Sequence, residues 1–110
     1  MAPSQKEGIS LKELEIQNQI RVELSKLGLV FRTNSGVAHT KQGTVINLLP
    51  KGFPDLLFFG FNGTVAFIEC KNEKGKIRPE QENFLNLVKK YGYRAGVARS
   101  AEEALKIIEL

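Results

Sequence analysis

Two carboxylates and an ammonium group stand in otherwise apolar surroundings: Asp55 after Pro54, then Glu69 and Lys71 on either side of Cys70. Phe53 and residues 56–59 flank the aspartate, and residues 65–68 lead into the glutamate. Charges set among such residues are costly to bury unless they pair with one another or with a metal ion. Two acids that converge make a site for a hard cation such as Mg²⁺ or Mn²⁺, and the backbone carbonyl of Cys70 could supply a third oxygen. Lys71 beside such an ion is suited to orienting and deprotonating a water, or to stabilising charge that develops on a phosphate. A zinc site is excluded, because one Cys and one His cannot supply its ligands.

Whether the acids meet depends on the register of a hairpin. Residues 53–61 and 64–71 read as two strands joined at Asn62-Gly63, a strong turn signal. A strict two-residue turn would set Asp55 opposite Cys70, on the face away from Glu69 and Lys71. A type I turn over Phe61-Asn62, with Gly63 left-handed in a bulge, shifts the pairing by one. Gly60 then pairs with Thr64, Asp55 lies opposite Glu69, and Lys71 shares their face. The second register is the expected one.

The rest of the chain must hold this hairpin. Residues 1–8 read as a flexible polar tail, and 9–110 as one domain. Ser10 to Glu13 has the form of a capping box, and Ile9 with Leu14 the spacing of a hydrophobic staple. Ile16, Ile20, Leu24 and Leu27 share one face of a helix expected over 11–27, with Gly28 as its C-terminal cap. Residues 29–32 form a short strand candidate. Residues 34–51, rich in Gly, Lys, Thr and Asn, are expected to be mostly loop, of a length that is usually functional or mobile.

The two hairpin strands are apolar on both faces, as in a sheet covered on both sides. Pro79 opens a second helix, with Glu80 and Glu82 in its first turn, that buries Phe84, Leu85, Val88 and Tyr91 and ends at Gly92. Residues 93–98 form a strand. Ser100 to Glu103 is a second capping box, opening a last helix that buries Ala104, Leu105 and Ile108. The order α-β-β-β-α-β-α implies an α/β fold in which helices pack on a mixed sheet.

Composition fits an ordinary globular domain: 42% of the 110 residues are hydrophobic and 25% charged, enough for a modest core. The net charge of +4 favours an anionic partner. A lone cysteine rules out an internal disulfide and suits a reducing compartment. No apolar run approaches the ~20 residues of a membrane span, and residues 1–8 lack a signal-peptide core. The chain is expected in the cytoplasm, away from membranes.

Asp-x13-Glu-x-Lys on consecutive strands, between two helices, resembles the PD-(D/E)XK nuclease superfamily, and more closely its virus-type replication-repair nuclease (VRR-NUC) family. The resemblance rests on Glu15-Ile16-Gln17, Asn34-Ser35-Gly36, Gly52-Phe53-Pro54-Asp55, Phe67-Ile68-Glu69-Cys70-Lys71 and Arg78-Pro79-Glu80-Gln81-Glu82-Asn83-Phe84. The ending, Ala98-Arg99-Ser100-Ala101-Glu102-Glu103-Ala104, also looks like that family's, so that the match runs over roughly residues 13–108 in the family's order.

It implies a restriction-endonuclease-like core, with helices on both faces of a mixed sheet, and a divalent-metal-dependent nuclease that cuts phosphodiester bonds. Asp55 and Glu69 would be metal ligands, Lys71 the catalytic lysine, and Gln81 the helix glutamine near the site. Glu15 would be the helix-one acid that completes the metal shell. Glu13 lies nearer the apolar stripe but has a capping role, and the Glu-Ile-Gln spelling points to Glu15. The chain resembles the stand-alone phage and bacterial members, which look like junction-resolving enzymes acting as dimers, in a bacterial or phage-infected cell.

The expected activity is therefore a structure-selective DNA endonuclease using Mg²⁺ or Mn²⁺, with four-way (Holliday) junctions as substrate. The absence of a base-reading motif favours recognition by shape. Lys41, Lys51, Lys74, Lys76 and Arg78 border the expected site and as a set suit phosphate contacts, with Arg32 and Arg99 as weaker candidates. Asn34, Ser35 and Gly36 could cradle a phosphate with backbone N–H groups, or form an ordinary turn. Taken singly, most of these residues have plainer readings. Asp55 could start a strand, Gln81 could serve the helix start, Cys70 reads as a small core residue, and His39 as an exposed loop residue. The alternatives are a flap or nicking nuclease with the same site, a catalytically silent DNA-binding module, and a scaffold with no nucleic-acid role.

Overall fold

The computed structural model describes residues 11–109. Ile9 and Ser10, and with them the expected staple and capping box, lie outside the described residues. The first helix, α1, runs Leu11–Ser25. Ile20 and Leu24 of its apolar stripe are fully buried, whereas Leu27 falls beyond the helix end and is exposed. Gly28 does not close this helix as expected. It opens β1 (Gly28–Arg32) and pairs with Gly60.

Two short strands follow, β2 (Val37–His39) and β3 (Val45–Asn47), paired antiparallel as a small ribbon of their own. The sequence predicts a loop here, because runs of three residues are too short to show a period. The hairpin strands are β4 (Leu56–Gly60) and β5 (Val65–Cys70). Residues 53–55, expected to begin the first of them, form the approach to β4 instead. Then come α2 (Pro79–Lys90), β6 (Arg94–Ala98) and α3 (Ala101–Ile107). The main sheet is mixed, in the order β1-β4-β5-β6: β4 pairs antiparallel with both β1 and β5, and β6 lies parallel to β5. That parallel pair needs a crossover, which α2 supplies.

The hairpin has the register that brings the acids together. Leu56 pairs with Ile68 and Phe59 with Val65, so one step further sets Asp55 against Glu69. The Gly60 N–H donates to the Thr64 carbonyl at 2.8 Å. The turn differs from expectation. Asn62 (φ 60°, ψ 29°) and Gly63 (φ 74°) are both left-handed, and the Thr64 N–H donates to the Phe61 carbonyl. The tight turn therefore spans Asn62-Gly63, and Phe61 is the extra residue. Asn, whose short amide bonds locally, tolerates this conformation better than other non-glycine residues.

Alternation along the strands builds two layers of helix around the sheet. Leu56, Phe58, Ala66, Ile68, Cys70 and Ala98 face α1 and α3, where they pack with Ile20, Leu24, Ala104 and Ile108. On the other face, Phe67 meets Phe53, Phe84 and Tyr93 with ring centroids 5.9–6.4 Å apart. Gln81, Leu85 and Val88 are the buried stripe of α2. Tyr91, expected in that stripe, is 73% exposed because it lies past the last helical turn. The start of α3 is capped nearly as expected: Ser100 Oγ accepts from the Glu103 N–H at 3.1 Å, but Glu103 reaches back to the N–H of Arg99 rather than that of Ser100. Leu105 is only partly buried.

Candidate active site

Asp55 enters the sheet from a turn built for close approach. The Phe53 N–H donates to the Pro50 carbonyl, and Gly52 holds a left-handed φ of 91°. A Cβ at Gly52 would stand 2.6 Å from the Glu80 carbonyl oxygen, so no side chain fits where this turn crosses the start of α2. From the other side Thr33, at the end of β1, fixes the strand entry. Its N–H donates to the Asp55 carbonyl at 2.9 Å and its hydroxyl to the Pro54 carbonyl. Sequence reasoning does not find Thr33, since its partners are backbone atoms that leave no trace in spacing.

Asp55, Glu69 and Lys71 meet on one face, at the mouth of a cleft of about 480 Å³. Asp55 Oδ2 accepts from the Cys70 N–H at 2.9 Å. Glu69 Oε2 accepts from Gln81 Nε2 at 2.9 Å and lies 3.8 Å from Lys71 Nζ. Gln81 is bifunctional: its carbonyl accepts from the Arg78 N–H at 2.8 Å, which caps α2, while its amide holds Glu69. The helix-start role open to Gln81 in the sequence is thus filled, and its amide is turned to Glu69.

Glu69 and Lys71 are almost fully buried, so their charges are mutually dependent. Burial raises the Glu69 carboxyl from 4.5 to about 8; the charge of Asp55 adds to the rise and Lys71 opposes it. Burial also raises Asp55, against the Cys70 N–H and the cations Lys71 and Arg32. The two carboxyls stand close enough that the charge of Asp55 helps to raise Glu69. Glu69 Oε1 is buried without a hydrogen-bond partner. Two neighbouring acids, both raised by burial, and an orphaned buried oxygen are what a hard divalent cation would satisfy, so the residues fit such an ion. Among the described residues, no three His, Cys, Asp or Glu side chains gather into a ligand cluster. The fit therefore rests on this pair. The Cys70 thiol is buried and pushed upward by burial, as suits an inert core residue.

The helix-one acid is a correction. Glu15 is exposed and does not line the cleft; Glu13 does, half-buried, with its carboxyl raised by burial and felt by Lys71, Asp55 and Arg78. The stripe Ile20–Leu24 faces the core, and two turns earlier that rotation aims Glu13, not Glu15, past the sheet edge. Wheel geometry carries this signal, and the residue spelling misleads. Gln17, one turn after Glu13, is fully buried with its Oε1 unpartnered.

The expected phosphate contacts divide. Ser35, Gly36, Lys51 and Arg78 line the cleft, whereas Asn34, Lys41, Lys74 and Lys76 are exposed outside its lining. Gly36 cannot offer its N–H to a phosphate, because that group donates to the Leu49 carbonyl at 2.7 Å. Lys51 Nζ lies 4.0 Å from Glu80 at the surface. Arg99 serves the protein itself: one guanidinium nitrogen donates to the carbonyls of Asn72 and Gly75, each at 2.6 Å, and ties down the loop between Lys71 and α2. His39 is exposed, as expected.

Residues 12–102 match the family model of the VRR-NUC domain. The chain belongs to the VRR-NUC family. A solved structure described as a VRR_NUC domain is similar to it at 30% identity and a TM-score of 0.64, covering 89% of this chain and 95% of that one. None of the curated proteins matches the chain. VRR-NUC is a nuclease domain, and the mixed sheet with its flanking helices is the fold that goes with it. Among the described residues, no helix is long and apolar enough to cross a membrane.

Proposed function

We propose that this VRR-NUC domain is a divalent-metal-dependent endonuclease that hydrolyses phosphodiester bonds in branched DNA, four-way junctions above all, and works as a pair of copies that cut two strands. The observation that carries the metal reading is the neighbouring buried acids Asp55 and Glu69, with the unpartnered Glu69 Oε1. Asp55 and Glu69 would hold Mg²⁺ or Mn²⁺, with the Cys70 carbonyl and Glu13 completing the shell. Such an ion supplies Lewis-acid polarisation of the phosphate and lowers the pKa of a bound water.

The protein's own groups do the rest. Gln81 fixes the Glu69 carboxylate through its amide, so the acid cannot turn away from Asp55. Lys71 keeps an ammonium beside that pair, where it donates to the attacking water or to the phosphate oxygen on which charge grows. Lys51 and Arg78 on the cleft wall position the phosphodiester without reading sequence. The described residues carry no base-reading motif, which favours recognition of shape and bendability.

The test is cleavage of labelled four-way junction, flap, nicked and linear duplex DNA at matched salt, with Mn²⁺, with Mg²⁺ and with EDTA. Cleavage should need the ion and favour the junction. Lys71→Met should lower cleavage by at least about a thousandfold while leaving DNA binding intact, in line with losing one preorganised charge at a reacting phosphate. EDTA-resistant cleavage, or a fully active Lys71→Met protein, would overturn these roles. Preference for flap or nicked DNA would keep the site and change the substrate.

A further inference from the structure

Gln17 is a polar side chain where the core asks for an apolar one. It lies on the buried stripe of α1, with Ile20 and Leu24 one and two turns on, and is itself 2% exposed. Its Oε1 accepts no hydrogen bond, and a buried acceptor left so costs stability that a leucine in its place would not. Among the described residues, one other buried side-chain oxygen is orphaned in this way: Glu69 Oε1, in the acid pair.

Helix geometry brings Gln17 toward that pair. Residues four apart stand one above the other on a helix, so Gln17 lies directly behind Glu13, which lines the cleft. Long side chains on a helix lean toward its N-terminus, over the preceding turn. The Gln17 amide therefore leans toward Glu13 and the cleft, away from Ile20. α1 also packs against β5, the strand that carries Glu69 and Cys70. Glu13 feels the charges of Asp55 and Lys71, and Glu69 feels that of Glu13, so this end of α1 is within electrostatic reach of the acids.

We propose that Gln17 is a positioning residue of the ion site, its carbonyl oxygen accepting from the hydration shell of a Mg²⁺ or Mn²⁺ ion held by Asp55 and Glu69. This role rests on the metal reading above and adds a residue to it. Mg²⁺ gives up its waters reluctantly, and the waters it keeps turn only O–H donors to the protein around them. Acceptors set in place beforehand fix such a shell. Leucine would serve the core and lose the acceptor. Glutamate would keep an acceptor but add a fourth acid beside Glu13, Asp55 and Glu69, each of which already resists ionisation. A neutral amide is the side chain that avoids both faults, and its orphaned oxygen is a cost that the ion-free protein carries.

Calorimetric titration with Mn²⁺ and thermal melts in EDTA test this on the wild type, Gln17→Met and Gln17→Glu. In EDTA, Gln17→Met should melt no lower than the wild type, because an apolar group of similar shape replaces an orphaned acceptor. Its Mn²⁺ affinity should fall by about tenfold to a hundredfold, the usual loss when a group supporting a metal site is removed. Gln17→Glu, which keeps an acceptor oxygen at the same reach, should melt lower in EDTA and retain most of the wild-type affinity. A Gln17→Met protein that melts clearly lower, or fails to fold, makes the amide a structural group and overturns the inference. Equal loss of affinity in both variants also overturns it, since the shape of the side chain and not its oxygen would then matter. Undiminished Mn²⁺ binding by Gln17→Met overturns this role alone, whereas a wild type that takes up no Mn²⁺ removes the metal reading and this role together.

Discussion

Replacing Glu69 with Gln separates the cost of the acid pair from its use. With the native carboxyl raised from 4.5 to about 8, the folded protein binds more protons than the unfolded chain between those limits. Stability must then fall as pH rises through that window, because the slope follows the difference in bound protons. Each tenfold change in proton affinity is worth about 1.4 kcal/mol, and the effect is limited to a few kcal/mol once Lys71 and residual hydration are allowed for. Asp55 and Glu13, both raised, act in the same direction. For a domain of this size, 1 kcal/mol moves the melting temperature by about 4–8 °C, so a drop on the order of 10 °C is expected between pH 5 and pH 8 in EDTA.

Glu69→Gln should flatten most of that slope and melt higher than the wild type at pH 8. Saturating Mn²⁺ at pH 8 should raise the wild type's melting temperature and leave the variant's unchanged, since a bound ion stabilises only the state that holds it. Melts followed by circular dichroism at several pH values, with EDTA and with Mn²⁺, read all of this. A wild-type profile flat from pH 5 to 8, or an equal slope in the variant, would refute the account of the buried pair.

Other perturbations probe the supports of the site. Gln81→Ala removes a helix cap and a carboxylate anchor together: it should cost about 1 kcal/mol of stability and more than tenfold in cleavage, whereas loss of stability alone would reduce Gln81 to a cap. Gly52→Ala should destabilise by several kcal/mol, visible as a large fall in urea midpoint, because a Cβ there meets the Glu80 carbonyl at a left-handed φ. Arg99→Met should speed amide exchange in the loop of residues 72–78 without changing that of β5, since only the loop carbonyls lose their donor.

Much of the site is legible because its parts are local in sequence. Asp55, Glu69 and Lys71 alternate on strands with a strong turn between them, and period-two geometry then decides which side chains share a face. Gln81 can be placed because a proline marks its helix start. What stays hidden needs tertiary placement. The choice between Glu13 and Glu15 depends on how α1 rotates against the sheet, and the spelling of a motif carries no rotation. Arg99 reads as a cation facing an anion, yet its partners are two carbonyls in a loop distant in sequence. The ribbon of β2 and β3 reads as loop because its strands are shorter than any period can reveal.

The extra residue at Phe61 controls chemistry from a distance. Five strand positions, roughly 17 Å at strand rise, separate Asp55 from Gly60, and every one of them takes its side from the count of residues around that bend. The loop should accept many different letters at Phe61 and few at Asn62 or Gly63. Removing one residue, however, would turn the aspartate toward the helix α1 side, away from Lys71. Relatives of this domain should therefore vary freely in what the bend is made of, and hardly at all in how long it is.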